Sequence, residues 1–347
     1  MSTLPSLLAG RRLAPVQVAY WGHPIEQGAK EIDYFVSSEL FENDVYSDIN
    51  DGNGNGDNDD DGSGGGVRIR VEQTVLFASL TTRFLAPPSP LVEHDYVTDQ
   101  EVPFPLFTRL GIRSSEDVVY LLPHTIMKYS SSFDDTLAML LHQDDQAILL
   151  VLWNDEQSLY CHHLKKRWLQ VGIDISRILF IPRLASAEYT LLLRYSHVVL
   201  DVYPFNMGVT AMEAFSVGTP VVSMPRQQSV ISIAAGMIRH MEREWMEEMG
   251  GESSDTNTKG TVRDSEGTVD GIGNNEGEHS LTQLLLATTV KEYVSKAMRA
   301  ARLFGGGGGA GSIYRRRLIV AAERSLFGPE GAEEWPAFVK RIAIDRE

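Results

Sequence analysis

The 347-residue chain reads as an α/β protein built on a parallel sheet covered on both faces, and its pattern of apolar runs predicts this. Short apolar runs recur at 118–122, 148–152, 178–181, 198–201 and 221–224. Amphipathic stretches at about 133–142, 157–171, 187–196 and 209–217 separate them at helical spacing. Four strand–helix–strand units in succession argue for parallel strands with helices as crossovers. Together these make 113–249 one Rossmann-like unit.

Taken in order, 16–21 and 33–37 also read as strands, but 1–112 holds no further convincing ones. A complete doubly wound domain needs more strands, so 1–112 reads as part of a first domain of the same kind. Three stretches bury too little apolar surface to fold and read as loop insertions: 49–66, 250–280 and the glycine run 305–311. The remainder, within 281–347, carries Leu, Tyr, Met and Trp at spacings of three and four and is expected to pack back as a helical cap.

Charge and cysteine content narrow the function. The net charge is −16, and the stretches 49–66 and 250–280 each contribute −5, leaving about −6 on the rest. An acidic surface gives no support for nucleic-acid or anionic-membrane partners. The longest clean apolar run, 147–153, is far short of the ~20 residues a membrane helix needs. One cysteine, Cys161, leaves no intramolecular disulfide and points to a reducing compartment, cytoplasm or nucleus.

Two stretches carry chemistry. Ligands of an open parallel sheet bind beyond the carboxyl ends of its strands. At such an end stands FNMGVTAMEAFSVGTPVV (205–222). Gly208 lets backbone approach closely, the amides of Val209, Thr210 and Ala211 with the helix dipole form an anion seat, and Glu213 lies a turn further on, placed to accept from a ribose diol. The same pattern also serves as a plain structural turn, with Gly218 ending the helix. At the end of 118–122 stands Lys128, either a solvated loop lysine or a counter-charge for a departing diphosphate. His162 and His163 are adjacent on a helix and point apart. With no HExxH, CxxC or EF-hand spacing in the chain, no metal or cofactor is assigned.

These stretches resemble, in order, the catalytic region of the O-GlcNAc transferase/SPINDLY family of protein O-glycosyltransferases. The likeness runs through APVQVAYWGHPIEQGAKEIDYFVSSELFE (14–42), YLLPHTIMKYSSSFDDTLAMLL (120–141), 177–225, EYVSKAMRAARLF (292–304) and SLFGPEGAEEWPAFVKR (325–341). It implies the glycosyltransferase-B architecture: two Rossmann-like domains facing a cleft, here with only the C-terminal half of the first, followed by the helical cap. It implies inverting, metal-independent sugar transfer from a nucleotide sugar to Ser or Thr of intracellular protein acceptors. UDP-GlcNAc is favoured as donor over GDP-fucose, and a non-catalytic nucleotide-sugar-binding module is the alternative.

By position, the resemblance gives Lys128 the donor diphosphate, with Thr125 beside it. Gly208, Val209 and Thr210 match the phosphate seat, and Glu213 the ribose contact. Leu184, Ser186 and Tyr189 line the segment around the base, while His23, Pro24 and Gly28 border the cleft from the first domain. Ser186 and Tyr189 stand where animal relatives carry lysine and histidine, and Val209 replaces a polar residue. The resemblance also implies that strands, a histidine-bearing segment and tetratricopeptide repeats precede this stretch in the full-length protein.

Overall fold

A computed structural model describes residues 10–20, 28–42, 72–82, 84–86, 108–112, 116–225, 232–250, 280–305, 309–328 and 333–344. Two parallel sheets organise them. The smaller has the order β1 (Val18–Tyr20), β2 (Tyr34–Ser38), β3 (Gln73–Phe77). The larger runs β6 (Ile178–Pro182), β5 (Ala147–Trp153), β4 (Val118–Leu122), β7 (Val198–Leu200), β8 (Val221–Val222). The chain thus steps outward from β4 through β5 to β6. It then returns to the other side of β4 for β7 and β8. The order reverses between β4 and β7, and that reversal opens a crevice at their carboxyl ends.

The helices follow from the same apolar periodicity. The crossovers are α1 (Ser131–Gln143), α2 (Ser158–Gln170), α3 (Ser186–Tyr195) and α4 (Val209–Ser216). Then come α5 (Ile233–Gly250), α6 (Leu281–Leu285), α7 (Val290–Gly305), α8 (Gly309–Ser325) and α9 (Glu334–Ile344). Strands β4 and β7 are buried almost throughout because helices lie on both faces, as their unbroken apolar runs require. Trp245 of α5 stacks on Phe304 of α7 at 6.2 Å and meets Tyr314 of α8 at 6.0 Å, which joins the cap helices into the main core. The last helix crosses back to the smaller sheet, where Phe338 and Ile342 are buried with Val36 and Phe77.

The expected strands and crossover helices of 118–225 are all present, with shifts of one or two residues at their ends. Two elements lie outside the expectations: β3 and the 18-residue α5. The glycine run is corrected. Gly305 ends α7, and Gly309 to Gly311 begin α8, so 305–311 is not a loop throughout. Packing overrides the poor helix propensity of glycine there: a Cβ on Gly305 would stand 2.3 Å from the His197 ring. Residues 49–66 and 251–279 lie outside the described residues.

The turn after α4 is a Schellman motif. Gly218 N–H donates to Phe215 O and Thr219 N–H to Ala214 O, with Gly218 at φ +76°. Its missing Cβ would meet Arg315 O of α8 at 2.7 Å. Arg315 itself is half-buried and donates to the carbonyls of Phe304, Arg194 and Ser196, tying α8 to the ends of α7 and α3.

Candidate active site at the strand crevice

Two loops face each other across the crevice. The first leaves β4 and forms a single 3-10 turn, Ile126–Lys128, in which Lys128 N–H donates to Thr125 O at 2.9 Å. Ile126 is buried and Thr125 and Met127 are exposed, so the turn anchors by one side chain and presents its others. The second leaves β7 through Asp201 to Gly208 and enters α4.

Lys128 joins them. Its Nζ lies 4.3 Å from the ring centroid of Phe205, in the second loop. Burial lowers the Lys128 pKa, and the nearby Asp201 carboxylate pulls it back up. Ser130, just before α1, donates its hydroxyl to Tyr203 O at 2.9 Å instead of capping its own helix, a second tie between the loops.

The second loop is folded around Asp201, which in the sequence marks only the end of an apolar run. This fully buried carboxylate accepts from Met207 N at 2.7 Å, Asn206 Nδ2 at 2.8 Å and Ser223 Oγ at 2.6 Å. Those donors take the place of water around a charge that burial would otherwise penalise. His124 from the β4 loop brings Nε2 within 3.3 Å of Asp201 Oδ1. Burial lowers the His124 pKa, against the raising influence of Asp201, and Lys128 adds to the lowering. Asp201 is thus the hub between both loops and β8. Its only local signal is an Asp closing an apolar run with Asn five residues later.

Helix α4 then starts at Gly208 with no side-chain cap, leaving its first amides to outside acceptors. Ala211 N–H bonds to Gly208 O at 2.9 Å, so the expected three-amide seat is reduced to Val209 and Thr210. Val209 is exposed and Thr210 partly so. Glu213 follows on the same helix, half-buried, and that burial raises its pKa. Tyr189 on α3 lies close enough to feel it: burial raises the phenol pKa first, and the Glu213 charge raises it further. Leu184, like Tyr189, packs its apolar part on the core, and Ser186, the first residue of α3, is exposed. Arg109 clamps the same helix start through Glu188 at 2.6 Å.

Gly28 follows β1 in the smaller sheet, exposed and at φ +64°. His23 and Pro24 lie outside the described residues. Among the described residues, no group of three His, Cys, Asp or Glu side chains is arranged to hold a metal ion. No described helix is long and apolar enough to cross a membrane.

No protein-family model matches the chain, and no curated protein does. Among solved structures, a lysine-to-methionine variant of the Thermobaculum terrenum O-GlcNAc transferase is similar over 96% of this chain and 50% of its own, with TM-score 0.59 and 18% identity. Anabaena HepE in complex with UDP and glucose is similar over 89% of this chain and 64% of its own, with TM-score 0.45 and 12% identity. A glycosyltransferase from Rickettsia africae gives 78% and 57%, with TM-score 0.47 and 10% identity. The chain spans half the length of the Thermobaculum structure. Parallel sheets, the strand reversal at β4 and β7, and helices returning to the smaller sheet give this chain the glycosyltransferase-B fold.

Proposed function

We propose that the chain binds a nucleoside-diphosphate sugar in the β4–β7 crevice and transfers the sugar to Ser or Thr hydroxyls of protein acceptors. One observation carries the reading: Lys128 and the uncapped start of α4 come from two loops that meet at the strand reversal, bridged by the Lys128–Phe205 contact. A cation and a helix N-terminus converging there suit a diphosphate. In the reaction the acceptor oxygen bonds to the anomeric carbon from the face opposite the diphosphate, the bond from that carbon to the diphosphate oxygen breaks, and the hydroxyl proton passes to water. Lys128 and the amides of Val209 and Thr210 stabilise the negative charge that collects on the departing group. That is the task a divalent cation performs in other transferases, so these residues support a metal-independent reaction.

Glu213 accepts from the ribose hydroxyls, and Tyr189 offers a ring face to the base. The acceptor class and the preference for UDP-GlcNAc over GDP-fucose rest on the sequence resemblance to protein O-glycosyltransferases. So do the repeats expected upstream, while the cytoplasmic or nuclear setting rests on the single cysteine, Cys161.

Isothermal titration of the protein with UDP and with GDP tests the reading. UDP is expected to bind, and Lys128→Ala to weaken it roughly 10- to 100-fold, the range for losing one charged hydrogen bond. Parent-like affinity in that variant would overturn the diphosphate role of Lys128, and tighter binding of GDP than UDP would reverse the donor assignment.

A further inference from the structure

Lys128 is held from behind by a second helix. The carbonyl of the next residue, Tyr129, accepts from Arg167 Nη2 of α2 at 2.8 Å. The same guanidinium grips Asp134 of α1 with both arms, Nε to Oδ2 at 2.7 Å and Nη2 to Oδ1 at 2.9 Å. Trp168 adds Nε1 to Asp134 Oδ1 at 2.7 Å. Tyr129 is fixed at its other ends too. Its hydroxyl donates to Leu122 O at 3.0 Å, its N–H to Ile126 O at 3.2 Å, and its ring meets Trp168 edge-on at 5.8 Å. The backbone immediately after Lys128 is therefore fixed at the Tyr129 carbonyl, amide, hydroxyl and ring.

A clamp of this composition is a poor device for stability alone. Asp134 is almost fully buried while Arg167 keeps about a third of its side chain exposed, and pairing the two roughly repays the cost of stripping the carboxylate of water. An apolar pair of equal volume packs α1 on α2 as well. What the ion pair adds is direction: a planar fork fixes Asp134 and one chosen carbonyl at defined angles. That carbonyl belongs to the residue after Lys128.

We propose that Arg167, held by Asp134, is a positioning residue that sets Lys128 against the β7 loop for the donor diphosphate. The inference rests on the reading of the crevice as a diphosphate seat. Arg167 touches no substrate; it acts through the Tyr129 carbonyl and the 3-10 turn. Loss of the fork therefore matters only while Lys128 is present to be misplaced.

A double-mutant cycle on the full chain, read by titration with UDP, tests this. Arg167→Lys keeps the charge and loses the fork, and is expected to weaken UDP about tenfold in the parent background. In the Lys128→Ala background it is expected to change affinity less than twofold. Millimolar guanidinium is expected to restore much of the affinity of an Arg167→Ala variant while leaving the parent unaffected, which a loss of bulk stability does not do. Equal weakening in both backgrounds, or none in the parent, overturns the positioning role alone. Lys128→Ala binding UDP like the parent overturns the seat and the positioning role with it. Should Arg167→Lys fail to fold, the isosteric Asp134→Asn runs the same cycle with the same two outcomes.

Discussion

The two sheets are both parallel and both receive helices, yet they are secured in different ways. The five-stranded sheet is covered by crossovers that its own sequence supplies between consecutive strands, and its core includes Tyr120, Leu149, Leu200 and Phe215. The three-stranded sheet depends on helices from the far end of the chain. On one face Phe338 and Ile342 of α9 meet Val36 and Phe77. Just past the end of β2, Phe41 lies so close to α5 that a Cβ on Gly236 would stand 2.4 Å from its ring, and Arg239 donates to Leu40 O. The larger sheet is therefore locally specified, whereas the smaller one is closed only when residues 195 or more positions apart have met. Long-range closure of this kind places a region toward the low end of local stability.

The largest expected effect breaks that closure. Phe338→Ala removes the central ring of the four-residue core and its edge contacts with Tyr34, Phe77 and Trp335. A buried Phe→Ala change costs about 3–5 kcal/mol. Hydrogen exchange is expected to lose protection over 34–38 and 73–77, while 118–122, 147–153 and UDP binding hold. Uniform loss across both sheets would show that they unfold as one unit.

The second effect sharpens the comparison from the side of the larger sheet. His197 sits just ahead of β7, its Nδ1 accepting from Val119 N at 3.0 Å and its ring pressed against Gly305. Burial, and next the Arg315 charge, push its pKa down to about 4, against a small raising influence from Asp144. Above about pH 6.5, His197 is neutral in both folded and unfolded chains and contributes nothing to the pH slope. Between there and about pH 4 only the unfolded chain takes the proton, so stability falls as pH falls, by on the order of 3 kcal/mol across the window. His124 at the crevice is shifted the same way. Denaturant melts at pH 7.5, 5.5 and 4.5 are expected to show this loss, with a flatter profile in His197→Gln. An unchanged profile in the variant would remove His197 as the cause.

The same contrast governs what the sequence reveals. The strands of the larger sheet are legible because each carries an unbroken apolar run, which in β4, β7 and β8 follows from burial on both faces. By contrast β3, Gln73–Phe77, is legible only in the fold: it is an edge strand, half-exposed along most of its length, so no comparable run marks it. The start of α8 is hidden by glycine, and its helix is carried by Leu318, Ala321 and Ala322 further along, all buried. At the site, Lys128 and Gly208 are visible because each stands at a strand's carboxyl end. Asp201 gives a weak local sign, but its partners come from three separate elements. Nothing in the run Lys165-Lys166-Arg167 marks out the arginine, whose partner Asp134 lies 33 residues earlier. Side chains placed at strand ends are readable from topology. Those that act by bridging helices become readable only when the helices are packed.

The smallest effect returns to the three-stranded sheet and asks how local its closure is. Trp335 Nε1 donates to Thr81 O at 2.7 Å, and Thr81 is a non-glycine residue at φ +64°. A β-branched residue holds that conformation only where its surroundings impose it. Two contacts do so: the indole on the Thr81 carbonyl, and Glu334, which accepts from Ala78 N and Ser79 N just before it. Trp335→Phe keeps a ring against Phe77 and Phe338 but leaves the carbonyl unpaired, at a cost of about 1 kcal/mol. Hydrogen exchange in 78–82 is expected to quicken while 73–77 stays protected, because Glu334 and the Phe338 core still hold α9 in place. Loss of protection across all of 72–82 would mean instead that the indole hydrogen bond closes the sheet, and that the apolar contacts of α9 follow from it.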